Sequence, residues 1–188
     1  MTTWASSAVA HEFFGDSPFR LTGVSTTAQE FQLGSSDNLK CAKLEVAYSP
    51  ASKSTQLALA ISKYEGCKYT HSGTGEEVGV GVNGCEYVLN GPSLEEISVN
   101  LFEEGKFGLE CKAVLAFETP HCDIQFPAQS PLSEYGWKNT DTTTGSFASE
   151  LFFHATNVTY KIIGTGCGSG GTNGDYTGTV DVGGVIVK

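Results

Sequence analysis

The chain has 188 residues, 39% of them hydrophobic and 11% aromatic, with 23 glycines, a charged fraction of only 17% and a formal net charge of −10. That length suits one domain or a tightly fused pair with a core of its own. The acidic balance, with Arg20 as the one arginine, excludes nucleic acid and anionic membrane surfaces, which call for a basic face. No apolar run approaches the ~20 residues needed to cross a bilayer.

From the N-terminus, the first feature is Ala8-Val9-Ala10, a small-x-small pattern like the end of an export signal. The charged and long apolar regions that precede such a site are missing. Residues 1–18 are therefore set apart as an N-terminal segment, either a signal-peptide remnant or a chance match, and 19–188 are read as a single domain. Alternating or β-branched stretches follow at 19–25, 30–34, 39–49 and 56–62, the last with Leu57, Leu59 and Ile61 on one face. Further strands are expected at 78–89, 97–102, 112–118, 122–126, 149–163 and 175–182. Residues 93–105 also fit a helix, because Ser93-Leu94-Glu95-Glu96 matches a capping box. The alternation of Ile97, Val99 and Leu101 favours strand. Turn residues cluster at 72–77, 90–93, 103–108, 119–121 and 169–175, where glycine and asparagine supply positive φ cheaply. About ten strands with short turns imply an all-β fold, an antiparallel sandwich or barrel.

Six cysteines punctuate these strands: Cys41, Cys67, Cys85, Cys111, Cys122 and Cys167. None falls in a CxxC pair, so zinc-knuckle and thioredoxin patterns are absent. Two gaps match, 67 − 41 = 26 and 111 − 85 = 26, which makes sequential pairing the first choice among the connectivities open to six cysteines. Closing such loops stabilises by roughly 3–4 kcal/mol in the chain-entropy model. Disulfides imply an oxidising compartment, hence a secreted or extracellular protein. The motif Gly-Cys-x-Tyr occurs twice, at 66–69 and 84–87. On a strand its Cys and Tyr share a face, so tyrosine covers the staple while glycine permits a bulge or close backbone approach.

The blocks LTGVST (21–26), LKC (39–41), YEGC (64–67), VNGCEYVL (82–89), CDIQFPAQS (122–130), TNVTYKIIGTGC (156–167) and NGDYTGTV (173–180) resemble a family of uncharacterised small secreted proteins of high-GC Gram-positive soil bacteria. The likeness runs from about residue 19 onward and is weakest across 91–112. It implies export and a β-rich fold, and it brings no activity, ligand or catalytic residue with it.

Local motifs offer little chemistry. Gly166, Gly168 and Gly171 match GxGxxG, but turn and strand follow where a dinucleotide site needs a helix. Asp175 and Asp181 follow a single misregistered copy of a glycine-rich calcium repeat, which works only in tandem. The pairs Glu76–Glu77, Glu95–Glu96 and Glu103–Glu104 read as solvated charge, because neighbours on a strand face opposite sides. His11, His71, His121 and His154 are scattered without a metal or nucleophile motif, and no GxSxG elbow exists. Asn157-Val158-Thr159 is a glycosylation sequon that matters only in a eukaryotic secretory host. Tyr135 and Trp137, two apart among prolines and glycine, would form an aromatic platform for sugar rings if exposed.

No cofactor and no metal are expected. The reading is an exported, non-enzymatic β-protein that acts by binding or as part of the cell exterior. The alternative is a secreted glycan-binding or glycan-hydrolysing β-sandwich, with a cell-surface glycan or self-association as the partner.

Overall fold

The computed structural model describes residues 9–10, 12–15, 21–49, 54–91, 93–94, 103–132, 134–140 and 148–187. Among them are sixteen strands and no helix. In chain order these are β1 (Val9–Ala10), β2 (Phe13–Gly15), β3 (Leu21–Ser25), β4 (Gln29–Leu33), β5 (Asp37–Tyr48), β6 (Gln56–His71), β7 (Thr74–Glu77) and β8 (Gly79–Gly81). They continue as β9 (Glu86–Asn90), β10 (Ser93–Leu94), β11 (Glu103–Glu118), β12 (Cys122–Gln129), β13 (Glu134–Thr140), β14 (Ala148–Gly164), β15 (Gly171–Gly183) and β16 (Val185–Val187).

Every pairing is antiparallel, and the pairings close on themselves. β3 and β4 are two halves of one stave, each bonded to β5 on one side and β15 on the other. β7, β8 and β9 make one stave between β6 and β11. β12 and β13 make another between β11 and β14. With β5 on β6 and β14 on β15, each stave touches its neighbours in the chain and the last returns to the first. The result is an up-and-down barrel of eight staves, closed around its circumference although β7 pairs only with β6 and β8 only with β11.

Both Gly-Cys-x-Tyr motifs turn their cysteine and tyrosine inward. Cys67, Tyr69, Cys85 and Tyr87 are all buried. Gly66 and Gly84 sit at φ 60° and 65°, the left-handed region where a side chain is strained. At Gly66 the inward phase of β6 changes, from Tyr64 to Cys67 and Tyr69. The staples are Cys41–Cys67, Cys85–Cys111 and Cys122–Cys167, which is the sequential pairing. Cys41 and Cys67 are direct cross-strand partners.

Aromatic side chains fill the interior. Phe31 stacks on Tyr176 at 4.4 Å and packs on Phe126 at 4.8 Å and Phe117 at 5.7 Å. Polar groups at this depth are paired, as burial requires. The Tyr64 and Tyr87 hydroxyls share a 2.6 Å hydrogen bond, and Tyr176 donates to Gln29 Oε1 at 2.6 Å. Burial pushes the Tyr87 phenol up to about 12.

Three expectations need correction. Residues 134–140 are strand, and Tyr135 and Trp137 are both 0% exposed, so the exposure on which the sugar platform depended is absent. Tyr135 donates to Asn90 O at 2.6 Å, while Trp137 packs edge-on against Phe13 and donates to Asn139 Oδ1. Two residues apart on a strand, both rings point into the barrel, so they form no sugar platform. The N-terminal boundary also moves: Phe13, inside the segment set apart, is buried, and β2 pairs with β16. Finally, several strands run far beyond their alternating cores, because bulges such as that between Glu45 and Val46 reset the phase without ending the ladder. His11, Glu95–Glu96, the expected strand at 97–102 and most of the helical alternative lie outside the described residues.

Candidate functional site at the barrel mouth

The meander places four connections at one end of the barrel: 34–36, 72–73, 119–121 and 165–170. Each brings polar residues to the rim, and the last three enclose a hollow of about 290 Å³ lined by Tyr69, His71, Thr74, Glu76 and His121, among others.

The floor is built on β5 and β6. Asp37 opens β5 opposite His71, the last residue of β6, and Leu39 stands opposite Tyr69. Asp37 is buried, a costly place for a carboxylate unless its oxygens are occupied. They are: Tyr69 donates its hydroxyl to Oδ1 at 2.9 Å, His71 Nδ1 bonds the same oxygen, and Ser36 donates to Oδ2 at 3.2 Å. The Tyr69 and His71 rings lie nearly parallel, 14° apart. Burial, then the bond to Asp37, pushes the Tyr69 phenol up to about 12. Tyr160, facing the same carboxylate from β14, is also raised, first by burial and then by the Asp37 charge.

The wall opposite comes from β7 and the 119–121 turn. Ser72 and Gly73, at φ 49° and 83°, make a two-residue turn of the hairpin type. This turn folds β7 back so that Thr74 stands opposite His71 and Glu76 opposite Tyr69. Glu76 Oε1 bonds His121 Nδ1 at 3.0 Å. Thr119 Oγ1 fixes the turn by accepting from the backbone N–H groups of His121 and Cys122 at 3.2 and 2.8 Å. The Thr119 hydroxyl, and then His121, hold the Glu76 carboxyl below its usual range.

The 165–170 loop forms the cover. Its Cys167 is bonded to Cys122 beside His121, and the Gly168 N–H donates to the Tyr69 hydroxyl at 3.4 Å. A GxGxxG match therefore turns out to be a lid stapled over a buried carboxylate, followed by β15.

Two histidines and a glutamate read as scattered or solvated are thus brought together here: His71 with Asp37, and His121 with Glu76. Each carboxylate engages Nδ1 and leaves Nε2 for other partners, the arrangement that fixes an imidazole's orientation and tautomer. The sequence does not single out Asp37, and it marks Tyr69 only as the cover of the Cys67 staple. A sharper signal lay in the turns, since His71 and His121 each flank one. Among the described residues no three His, Cys, Asp or Glu side chains converge in a way that could hold a metal ion.

A second hollow, of about 470 Å³, lies at the waist where β12 gives way to β13, lined by Lys106, Gln129, Glu134 and Asn157 among others. Gln129 is spent on Thr159, accepting from its N–H at 2.8 Å and donating to its carbonyl at 3.0 Å. No ring of Phe, Tyr or Trp lines this hollow, so it replaces neither the sugar platform nor the mouth.

Fold and site together define a closed, stapled β-barrel with a filled interior and a polar mouth. No family model, no curated protein and no solved structure matches the chain.

Proposed function

We propose that the protein is an exported, non-enzymatic binding protein whose mouth takes a small polar ligand. The observation that carries this is the convergence, from separate turns, of two carboxylate-oriented histidines and Tyr69 on one hollow. A filled interior directs binding to the rim. A volume near 290 Å³ sits at the lower end of ligand pockets. Three disulfides support an oxidising setting, and the resemblance to secreted soil-bacterial proteins points the same way.

Glycan hydrolysis would require two carboxylates open to substrate. Asp37 is buried, and its oxygens are occupied by Tyr69, His71 and Ser36. Glu76 Oε1 is held by His121. Binding is the better use of such a site.

The test is a thermal-shift screen of small polar compounds, with hits mapped by nuclear magnetic resonance on the histidine rings. Ligands should raise Tm in the parent protein and fail to do so in His71→Ala/His121→Ala. Hits that perturb only the waist, or turnover of a compound abolished by the same variant, would overturn this reading.

A further inference from the structure

We propose that the mouth selects a small organic cation, a primary ammonium or guanidinium compound, over neutral and anionic molecules of the same size. This rests on the mouth being the binding site and names what it binds.

The first argument is charge. No Lys or Arg lines the hollow. Its cationic candidates are His71 and His121, and each gives Nδ1 to a carboxylate. Such a pair carries −1 with a neutral ring and zero with a charged one, never a positive charge. Whatever protons the rings hold, the two pairs give the mouth no net positive charge with which to hold an anion. Much of the basic complement is engaged elsewhere: Lys40 pairs with Glu30, Lys43 and Lys63 with Glu45 and Glu65, and Lys68 with Glu77. With a net charge of −10, the protein's far field also draws cations toward it.

The second argument is hydrogen bonding. Glu76 lines the hollow with a partly exposed side chain, and its Oε1, bonded to His121 Nδ1, keeps a second acceptor site. A carboxylate oxygen with an acceptor site to spare gains most from a charged N–H donor. Ser72, Thr74 and Thr165 add hydroxyl oxygens to the same lining. An ammonium or guanidinium group supplies several donors and no acceptor, which matches this set. A bare metal ion matches it poorly, since no three suitable ligands converge among the described residues.

Three four-carbon probes separate charge from shape: 1,4-diaminobutane, 1,4-butanediol and succinate, each titrated at matched ionic strength while the His71 and His121 ring signals are followed. The diamine should bind at the mouth about tenfold more tightly than the diol, and succinate should leave the signals in place. Glu76→Gln should weaken the diamine about tenfold. Glu134→Gln, which makes the same change in net charge at the waist, should not. Equal binding of diol and diamine, preference for succinate, failure of all three, or displacement of the diamine by calcium or zinc would each overturn the cation assignment. The first two would leave the mouth standing as a binding site. If no compound of the wider screen reached the mouth, the binding reading would fall with it.

Discussion

Gly168 rests on Asp37 with no room for a side chain: a β-carbon on its backbone would stand 2.8 Å from Asp37 Cγ and closer still to Oδ2. Gly168→Ala must therefore lift the lid or push the carboxylate off Tyr69 and His71. The expected cost is about 1–3 kcal/mol, the usual range for overpacking. Urea denaturation measures it, with Ser169→Ala, one residue along and exposed, as the neutral control. An unchanged midpoint for Gly168→Ala would show that the lid does not bear on Asp37.

Asp37 holds three partners, so Asp37→Asn weakens three hydrogen bonds at a buried position. Hydrogen bonds to a charged group contribute about 1.5–3 kcal/mol each, and a loss of at least that size is expected in equilibrium denaturation. The His71 ring should lose its fixed orientation, visible as broadened or shifted ring signals. Stability within 0.5 kcal/mol of the parent, a shift typical of neutral surface changes, would contradict the carboxylate's role as the anchor of the floor.

The three staples are expected to differ in what they protect. Loops of 26 and 45 residues correspond to about 3.5 and 4 kcal/mol in the chain-entropy model. Replacing both members of Cys85–Cys111 by serine should lower Tm while leaving the His71 and His121 signals unmoved. Replacing both members of Cys122–Cys167 should lower Tm and also displace those signals, because the lid and the His121 turn are joined by that bond. Identical spectra at the mouth in the two variants would refute the difference.

Acid should loosen the rim through Glu76. Its carboxyl is held below the ordinary value near 4.5, first by the Thr119 hydroxyl and then by His121. A folded-state pKa below the unfolded one stabilises above the unfolded value, and the benefit is lost as pH falls through the folded one. Below pH 4.5 the parent should therefore lose Tm faster than Glu76→Gln, while the two run parallel above about pH 6. Parallel profiles throughout would mean that the Thr119 and His121 contacts do not favour the ionised form.

What was legible in the sequence followed from local rules. Leu57, Leu59 and Ile61 show their common face because a strand alternates, and all three are buried. The cysteine spacing gave the pairing because an antiparallel neighbour brings Cys41 back to Cys67 across one turn. Trp137 escaped such rules: its spacing from Tyr135 among glycine and prolines fitted core and platform alike, and Gly136 sits mid-strand opposite Glu104 and Phe152. His71 and Asp37 are 34 residues apart, and His121 and Glu76 are 45 apart. Nothing in either neighbourhood marks a partner. Only the closing of the ring brings the 72–73, 119–121 and 165–170 turns over one hollow.

β2 and β16 pair at the end of the barrel remote from the mouth, where Phe13 bonds Ser54 and packs on Trp137, and Ser149 donates to Val185 O. The molecule therefore has a polarity like that of a cup with its handle on the base. A support or fusion joined through either strand holds the base and leaves the opening facing solution.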